Sequence, residues 1–234
     1  MPEHRRWRPQ MTDRERVRGL IFFALYFLVF RTLKLLVEWF FDRYFSLFLS
    51  EAMAAAVYYL VIGVLTVIVF GSFLKNAGGI LRDFLPENLL AFGTGLVGAL
   101  ILEFLIGLIP LPVINPDPAA WREQFSYSPA ATVVILVILM PLIEEVLFRG
   151  LMFGTLRRYS RTMAWVVSGL LFVIYSVWPF AVTQGDVRYL LLAIQYVPTA
   201  AALTWCYDRG GSIWSSVALH AALDGIALVR ALHA

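Results

Sequence analysis

The sequence predicts an all-α membrane protein, a polytopic bundle of about seven transmembrane helices. Of the 234 residues, 60% are apolar and 15% are charged, and the mean hydropathy is +0.76. Soluble domains are about 45–50% apolar and about 25% charged. The apolar residues also fall into seven stretches, each long enough to cross a hydrocarbon core about 30 Å thick. Together these observations exclude a disordered chain, a disulfide scaffold and an ordinary cytosolic enzyme.

The predicted spans follow the apolar runs, and the linkers follow the helix breakers between them. The spans lie near 17–41, 52–74, 88–111, 129–156, 162–180, 189–207 and 212–233. We expect linkers at Asn76-Ala77-Gly78-Gly79, in the proline-rich segment 110–118 and at Gly210-Gly211. No internal repeat divides the chain, so we expect a basic cytoplasmic segment over 1–16 and a single transmembrane domain over 17–234.

The first predicted span carries charge within its apolar run. Arg31, Lys34 and Glu38 recur at spacings of three and four residues, which places them on one side of a helix. Two interpretations fit this pattern, an interfacial helix or a span whose charged edge faces the bundle.

The basic residues predict the orientation of the bundle. With seven crossings and a cytoplasmic N-terminus, 12 Lys and Arg residues lie in cytoplasmic segments and 4 in segments on the opposite side. Short cytoplasmic loops carry an excess of Lys and Arg. We therefore expect the N-terminus in the cytoplasm and the C-terminus on the opposite side. The net charge of +3 is explained by this bias, so we do not expect nucleic acid as a partner.

The fourth predicted span carries ionisable residues in its interior. Glu145 and Arg149 are four residues apart and therefore share a helix face, where they can pair. Glu144 points about 100° away from that face, so it must face a polar cavity or take up a proton. Pro141 cannot donate a backbone hydrogen bond, which leaves the carbonyl near Val137 free. The pattern indicates a place where water or a substrate approaches the helix.

Two further spans carry polar residues at helical spacing. Ser216, His220 and Asp224 recur every four residues in the last span, and Ser168, Phe172 and Ser176 do so in the fifth. With a rise of about 1.5 Å per residue, Glu144, Ser176, His220 and Asp224 lie roughly 12–21 Å from the cytoplasmic end. Polar groups from three helices are thus expected near one level, as a buried water-filled site requires.

Each of these residues also has a purely structural interpretation. Glu145 and Arg149 could form a clamp within their helix, and His220 and Asp224 could make hydrogen bonds between helices. Glu103, which lies by itself in the third span, is a weaker candidate for a functional role. Glu144 is the hardest to explain by packing, because a carboxylate beside another carboxylate has no packing rationale.

The polar residues resemble three motifs of the CAAX prenyl endopeptidase and bacteriocin-processing family of membrane proteases (CPBP, also called ABI). The family motifs are Glu-Glu-x-x-x-Arg, Phe-x-x-x-His and His-x-x-x-Asn or Asp. In chain order they fall on Glu144, Glu145 and Arg149, then on Phe172 and Ser176, and last on His220 and Asp224. Their order and separation agree with the family over a core at about 129–230.

The resemblance implies a glutamate-dependent intramembrane protease that needs no metal or other cofactor. It implies that Glu144 activates a water, that His220 and Asp224 lie near the developing oxyanion, and that Glu145 and Arg149 hold the first helix in place. The chain departs from the family at Ser176, where the family has a histidine. A serine hydroxyl can position a water but cannot carry a proton usefully at neutral pH. We therefore expect weakened activity, or the neighbouring Tyr175 or another side chain in place of the histidine.

The leading hypothesis is an intramembrane endopeptidase that cleaves a protein or peptide substrate in or at the lipid bilayer. One alternative is a silent pseudoprotease that uses the cavity to bind and regulate a membrane partner. A second is a metal-dependent hydrolase, although one histidine and three carboxylates fit Zn²⁺ or Mn²⁺ poorly. A small-solute transporter is disfavoured, since the paired inverted repeats of that class are not visible. The sequence leaves the oligomeric state open.

Overall fold

The protein is a bundle of helices in the computed structural model, in which the described residues are 10–30, 40, 43–44 and 51–233. Eight helices form the part that concerns the site, and we number them in chain order. They are α1 (Asp13–Leu25), α2 (Glu51–Asp83), α3 (Leu85–Gly107), α4 (Asp117–Tyr127), α5 (Pro129–Arg157), α6 (Arg161–Thr183), α7 (Val187–Gly210) and α8 (Ile213–His233).

Six of these helices, α2, α3 and α5 to α8, are long and apolar enough to cross a membrane. Many of their large apolar side chains are exposed, including Ile68, Leu90 and Phe104, which are 68–71% exposed. Apolar surface of this extent marks contact with lipid or with a partner. The prediction of an all-α polytopic membrane bundle is therefore confirmed, and the six helices correspond to predicted spans two to seven.

The first predicted span, 17–41, is described only in part. Its beginning lies in α1 and in the π-helical turn Tyr26–Phe30 that follows. Arg31, Lys34 and Glu38 lie outside the described residues.

The linker expected at Asn76-Ala77-Gly78-Gly79 is wrong, because α2 runs through these residues to Asp83. Contacts with the start of α8 hold this part of the helix. The Ser212 hydroxyl donates to the carbonyl of Ala77 at 2.8 Å, and the Trp214 indole donates to that of Leu74 at 3.1 Å. Helical propensity is weak, and tertiary contacts of this kind override it.

The other two predicted linkers are connections between spans. Gly211 has a φ of +83° in the turn between α7 and α8, a left-handed conformation that glycine adopts without steric cost. The segment that joins α3 to α5 contains a helix that we did not predict, α4. This helix begins at Asp117 with a proline in its first turn, where the fixed φ of proline suits a helix.

The helix α5, which carries the adjacent glutamates, is wound irregularly. Its backbone remains helical through Pro141, but two segments, Val134–Leu139 and Glu145–Phe153, are π-helical. Short π-helical insertions occur frequently at functional sites. Glu144 is the last residue of the α-helical turn Met140–Glu144 that lies between these two segments.

One end of the bundle holds Gln10 and the start of α1, the turn between α5 and α6 and the turn between α7 and α8; we call it the basic end. The Gln10 amide donates to the carbonyl of Gly211 at 2.8 Å. The Asp208 carboxylate accepts from Arg157 at 2.9 Å, from Arg161 at 2.7 Å and from Trp165 at 3.1 Å. The contacts of Asp208 fix α5, α6 and α7 relative to one another. The opposite end of the bundle carries α4 and the end of α8, and we call it the mouth end because the cavity described below extends to it.

Candidate active site

The carboxylate of Glu145 joins three side chains from two helices. It is fully buried. Its Oε1 accepts from Arg149 Nη1 at 2.8 Å and lies 3.0 Å from His220 Nδ1, while Oε2 accepts from the Ser216 hydroxyl. We call these four residues the Glu145 cluster. Because Arg149 is on α5 and the other two partners are on α8, the cluster fixes these two helices together.

The guanidinium of Arg149 has partners beyond Glu145. It is also fully buried, and its Nη2 donates to the carbonyl of Ala200 at 3.3 Å. Its Cζ lies 4.2 Å from the ring centroid of Phe172, a distance suited to a cation–π contact. The predicted pairing of Glu145 with Arg149 is thus present. Through Arg149, α7 and α6 also contact the Glu145 cluster.

His220 lies between two carboxylates. Its Nδ1 faces Glu145, and its Nε2 lies 3.5 Å from Asp224 Oδ2. The edge of the imidazole meets the ring of Phe172 with centroids 5.7 Å apart. An ionised carboxylate only accepts hydrogen bonds, so contact with Glu145 requires a proton on Nδ1. The second nitrogen is then directed towards Asp224.

A cavity of about 660 Å³ is lined by several of the candidate residues from different helices. Residues of α5, α6 and α8 that the sequence singled out line it, namely Glu144, Phe172, Tyr175, Ser176, His220 and Asp224. Glu145 and Arg149 are fully buried and, among the described residues, stand outside this lining. Adjacent glutamates therefore face different surroundings. Glu144 reaches the cavity, whereas Glu145 lies behind its wall.

Ser176 and Tyr175 occupy the wall of the cavity on α6. The Ser176 hydroxyl donates to the carbonyl of Phe172, one turn earlier, at 2.9 Å. Its proton is therefore used within its own helix, and its oxygen retains the capacity to accept. The buried ring of Tyr175 stacks on that of Tyr26, with centroids 5.1 Å apart.

A comparison with known protein families gives a match to the part of the chain that holds this site. Residues 126–226 match the family described as type II CAAX prenyl endopeptidase Rce1-like. These residues form an Rce1-like domain. The match confirms the resemblance over somewhat less than half of the chain. No curated protein and no solved structure gives a significant match.

The Rce1-like domain contains the Glu145 cluster and the three-helix part of the cavity wall. Glu144, Phe172, Tyr175, Ser176 and Asp224 all lie within residues 126–226. The mouth of the cavity is built in part from residues that precede or follow the matched segment.

A polar network at this mouth was not predicted from the sequence. The Tyr196 hydroxyl donates to Asp117 Oδ2 at 2.5 Å, and the Asn115 amide donates to Gln195 Oε1 at 3.3 Å. These two contacts join the start of α4 and the residue Asn115 before it to α7, and all four residues line the cavity. The Asn-Pro-Asp-Pro sequence at 115–118 is a recognisable turn and helix start. It could have shown a helix there, but not which residues it meets.

Glu103 also lies at this mouth rather than near Glu144's helix. Its carboxylate accepts from the Thr199 hydroxyl at 3.3 Å and from Arg230 at 3.4 Å. The contact with Arg230 joins α3 to α8 beside the cavity. These contacts give Glu103 a structural role at the mouth of the cavity.

We predict that Glu145→Gln lowers the free energy of unfolding by roughly 3–5 kcal/mol, because it leaves the buried Arg149 charge without its counter-charge. The double variant Glu145→Gln with Arg149→Met also removes the Arg149 charge. It should therefore lower the free energy of unfolding by less than Glu145→Gln does by itself. Thermal and denaturant unfolding in detergent micelles measures both. Glu87→Gln, at an exposed carboxylate on α3, is the control. A double variant less stable than Glu145→Gln would contradict the prediction.

Proposed function

We propose that the chain is an intramembrane endopeptidase in which Glu144 activates a water for attack on a peptide bond. The observation that carries the proposal is the shared cavity, which is lined by Glu144 from α5 and by His220 and Asp224 from α8. The Rce1-like match supports the same reaction class. The cavity has the volume of a ligand site, about 300–1,000 Å³.

The proposed reaction uses the cavity-facing groups as follows. The Glu144 carboxylate removes a proton from water as the water oxygen attacks the carbonyl carbon of the substrate. Negative charge then develops on the carbonyl oxygen, to which His220 can donate when Nε2 also carries a proton and Asp224 when its carboxyl group is protonated. The proton held by Glu144 passes to the peptide nitrogen as the C–N bond breaks. The products are a carboxylic acid and an amine.

Glu145, Arg149 and Ser216 support this chemistry from behind the wall. Their contacts hold α5 against α8, which keeps Glu144 and His220 on the lining of the same cavity. A displacement of reacting groups by about 1 Å can cost about 10²-fold in rate. Glu145 and Arg149 thus serve as positioning residues.

The proposed substrate is a membrane-associated protein or peptide. Besides its polar groups, the cavity is lined by apolar side chains such as Ile106, Leu136 and Leu223. An apolar lining with a few convergent polar groups suits an extended apolar segment. The lipid bilayer is the medium from which such a segment would come.

A second candidate function is a pseudoprotease that binds and regulates a membrane partner. Ser176 favours it, since this residue stands in place of the family histidine and its hydroxyl is bonded to Phe172. Without a titratable group at this position, the cavity keeps its shape while losing one means of proton transfer.

We also propose that the basic end faces the cytoplasm and that the mouth of the cavity opens on the opposite side. In α1 and from Glu51 onward, nine Lys and Arg residues lie towards the basic end and three, Arg122, Arg188 and Arg230, towards the mouth end. The contact of Gln10 with Gly211 supports the counting of the α1 arginines with the basic end. Lys and Arg in short loops favour the cytoplasm.

Replacing the proposed base tests the protease. Glu144→Gln should reduce cleavage by at least about 10²-fold, because the amide cannot take the proton from water, while the protein still folds. Quantitative N-terminal proteomics of membranes would identify proteins left unprocessed in a deletion strain and score their processing after complementation. Glu87→Gln is the control, and wild-type processing by Glu144→Gln would refute the proposal. Inhibition by a chelator, reversed by a divalent ion, would instead support the metal-dependent hydrolase.

Restoring the family histidine separates a weakened protease from a silent one. Ser176→His should raise the rate of cleavage by as much as about 10²-fold, because the imidazole can exchange a proton in the cavity. Ser176→Ala, which removes only the hydroxyl, is the matched control and should remain near wild type. Single-turnover cleavage of the identified substrate by purified protein measures both. Equal rates for the histidine variant and wild type would show that position 176 does not limit the reaction.

Site-directed labelling tests the orientation. In a Cys206→Ala background, which removes the single cysteine, we introduce Gln184→Cys at the mouth end or Tyr159→Cys at the basic end, both at exposed positions. A membrane-impermeant maleimide applied to intact cells should label Gln184→Cys only, and both after the cells are opened. Labelling of Tyr159→Cys in intact cells would reverse the proposed orientation.

A further inference from the structure

The hydroxyl of Ser216 lies beneath the Glu145 carboxylate, away from the cavity. Ser216 is fully buried on α8, one turn before His220, and its Oγ donates to Glu145 Oε2. From this arrangement we infer that Ser216 is a positioning residue, which holds the Glu145 carboxylate in the orientation that fixes His220. The catalytic part of this inference rests on the proposed function.

The serine hydroxyl has one proton and two acceptors within reach. Besides Glu145 Oε2, the carbonyl of Leu203 on α7 lies 3.1 Å from the Ser216 Oγ. Hydrogen bonds to an ionised acceptor are shorter and stronger than those to a neutral one, so the proton belongs to Glu145. The serine thus presents a buried donor to the carboxylate.

This donor divides the two oxygens of Glu145 between different partners. With Oε2 held by Ser216, Oε1 remains to meet both Arg149 at 2.8 Å and His220 at 3.0 Å. Rotation of the carboxylate would move Oε1 away from the imidazole. Such rotation would also move Oε2 away from the Ser216 hydroxyl and weaken that hydrogen bond.

The consequence for His220 is a defined proton position. A fixed Oε1 keeps the proton on Nδ1, so that Nε2 is the nitrogen presented towards Asp224, 3.5 Å away. Ser216 therefore acts on the cavity through Glu145 and His220. Partners of this kind behind a functional group typically change activity by about 10- to 100-fold when they are removed.

Neighbouring serines provide a matched set of variants. Ser216→Ala removes the donor to Glu145, and Ser216→Thr retains it. The control is Ser215→Ala, because Ser215 is also buried on α8 but its hydroxyl donates to the carbonyl of Ser212 at 2.7 Å. All three are made in the full chain.

Nitrogen NMR of the histidine side chain measures the positioning directly. His4→Gln and His233→Gln leave His220 as the single histidine, and the protein is labelled with ¹⁵N-histidine in lipid bilayers. In wild type and in Ser215→Ala, the Nδ1 signal should show a bonded proton. In Ser216→Ala a second population with an unprotonated Nδ1 should appear, and Ser216→Thr should restore the wild-type spectrum. A wild-type spectrum for folded Ser216→Ala would overturn the inference.

Kinetics on a substrate found by the N-terminal proteomics experiment add the catalytic readout. We expect Ser216→Ala to lower kcat by roughly 10- to 100-fold with KM changed much less, and Ser215→Ala to stay near wild type. A loss shared equally by the two alanine variants would indicate a general packing effect and would overturn the role of Ser216. Because the NMR measurement needs no substrate, the two proposals fail separately. Normal cleavage by Glu144→Gln refutes the protease without affecting the histidine spectrum.

Discussion

The burial of the Glu145 and Arg149 charges is the constraint on which the rest of the site depends. Neither side chain reaches solvent or lipid, and an isolated charge in such surroundings costs several kcal/mol or more. Each charge must therefore be met by partners with good geometry. Ser216 and His220 meet Glu145 from α8, and the carbonyl of Ala200 meets Arg149 from α7. The need to satisfy one ion pair thus fixes three helices, and the cavity lies beside the place where they meet.

The local part of this arrangement could be predicted from the sequence, because it follows from helical periodicity. Glu145 and Arg149 share a face as residues four apart, and Ser216, His220 and Asp224 form a stripe for the same reason. The apolar runs indicated six helices that the structure confirms as long and apolar enough to span a membrane. Periodicity also separated Glu144 from Glu145. One carboxylate faces the cavity and the other lies behind it, as the angle of about 100° between adjacent residues requires.

Contacts between distant segments could not be predicted in the same way. The helix α2 continues through Gly78 and Gly79 because Ser212 and Trp214 bind its carbonyls, and nothing near those glycines in the sequence indicates this. The mouth of the cavity depends on Asp117 meeting Tyr196, two residues 79 positions apart. The hydrogen bond from Ser216 to Glu145 is another contact that the sequence could not predict. Its place in the stripe was visible, but its partner depends on how α5 and α8 pack.

The position of Glu145, Arg149 and Ser216 outside the cavity lining explains how position 176 can change without loss of the fold. Ser176 stands on the wall, and its hydroxyl is satisfied by the carbonyl of Phe172 within its own helix. A serine there leaves no buried donor without an acceptor, so it carries little structural cost. The contacts that hold α5, α7 and α8 together lie elsewhere, at Glu145 and Arg149. Ser176 can therefore vary without disturbing these contacts, whereas a change at Glu145 or Arg149 would disturb the packing of α5 against α7 and α8.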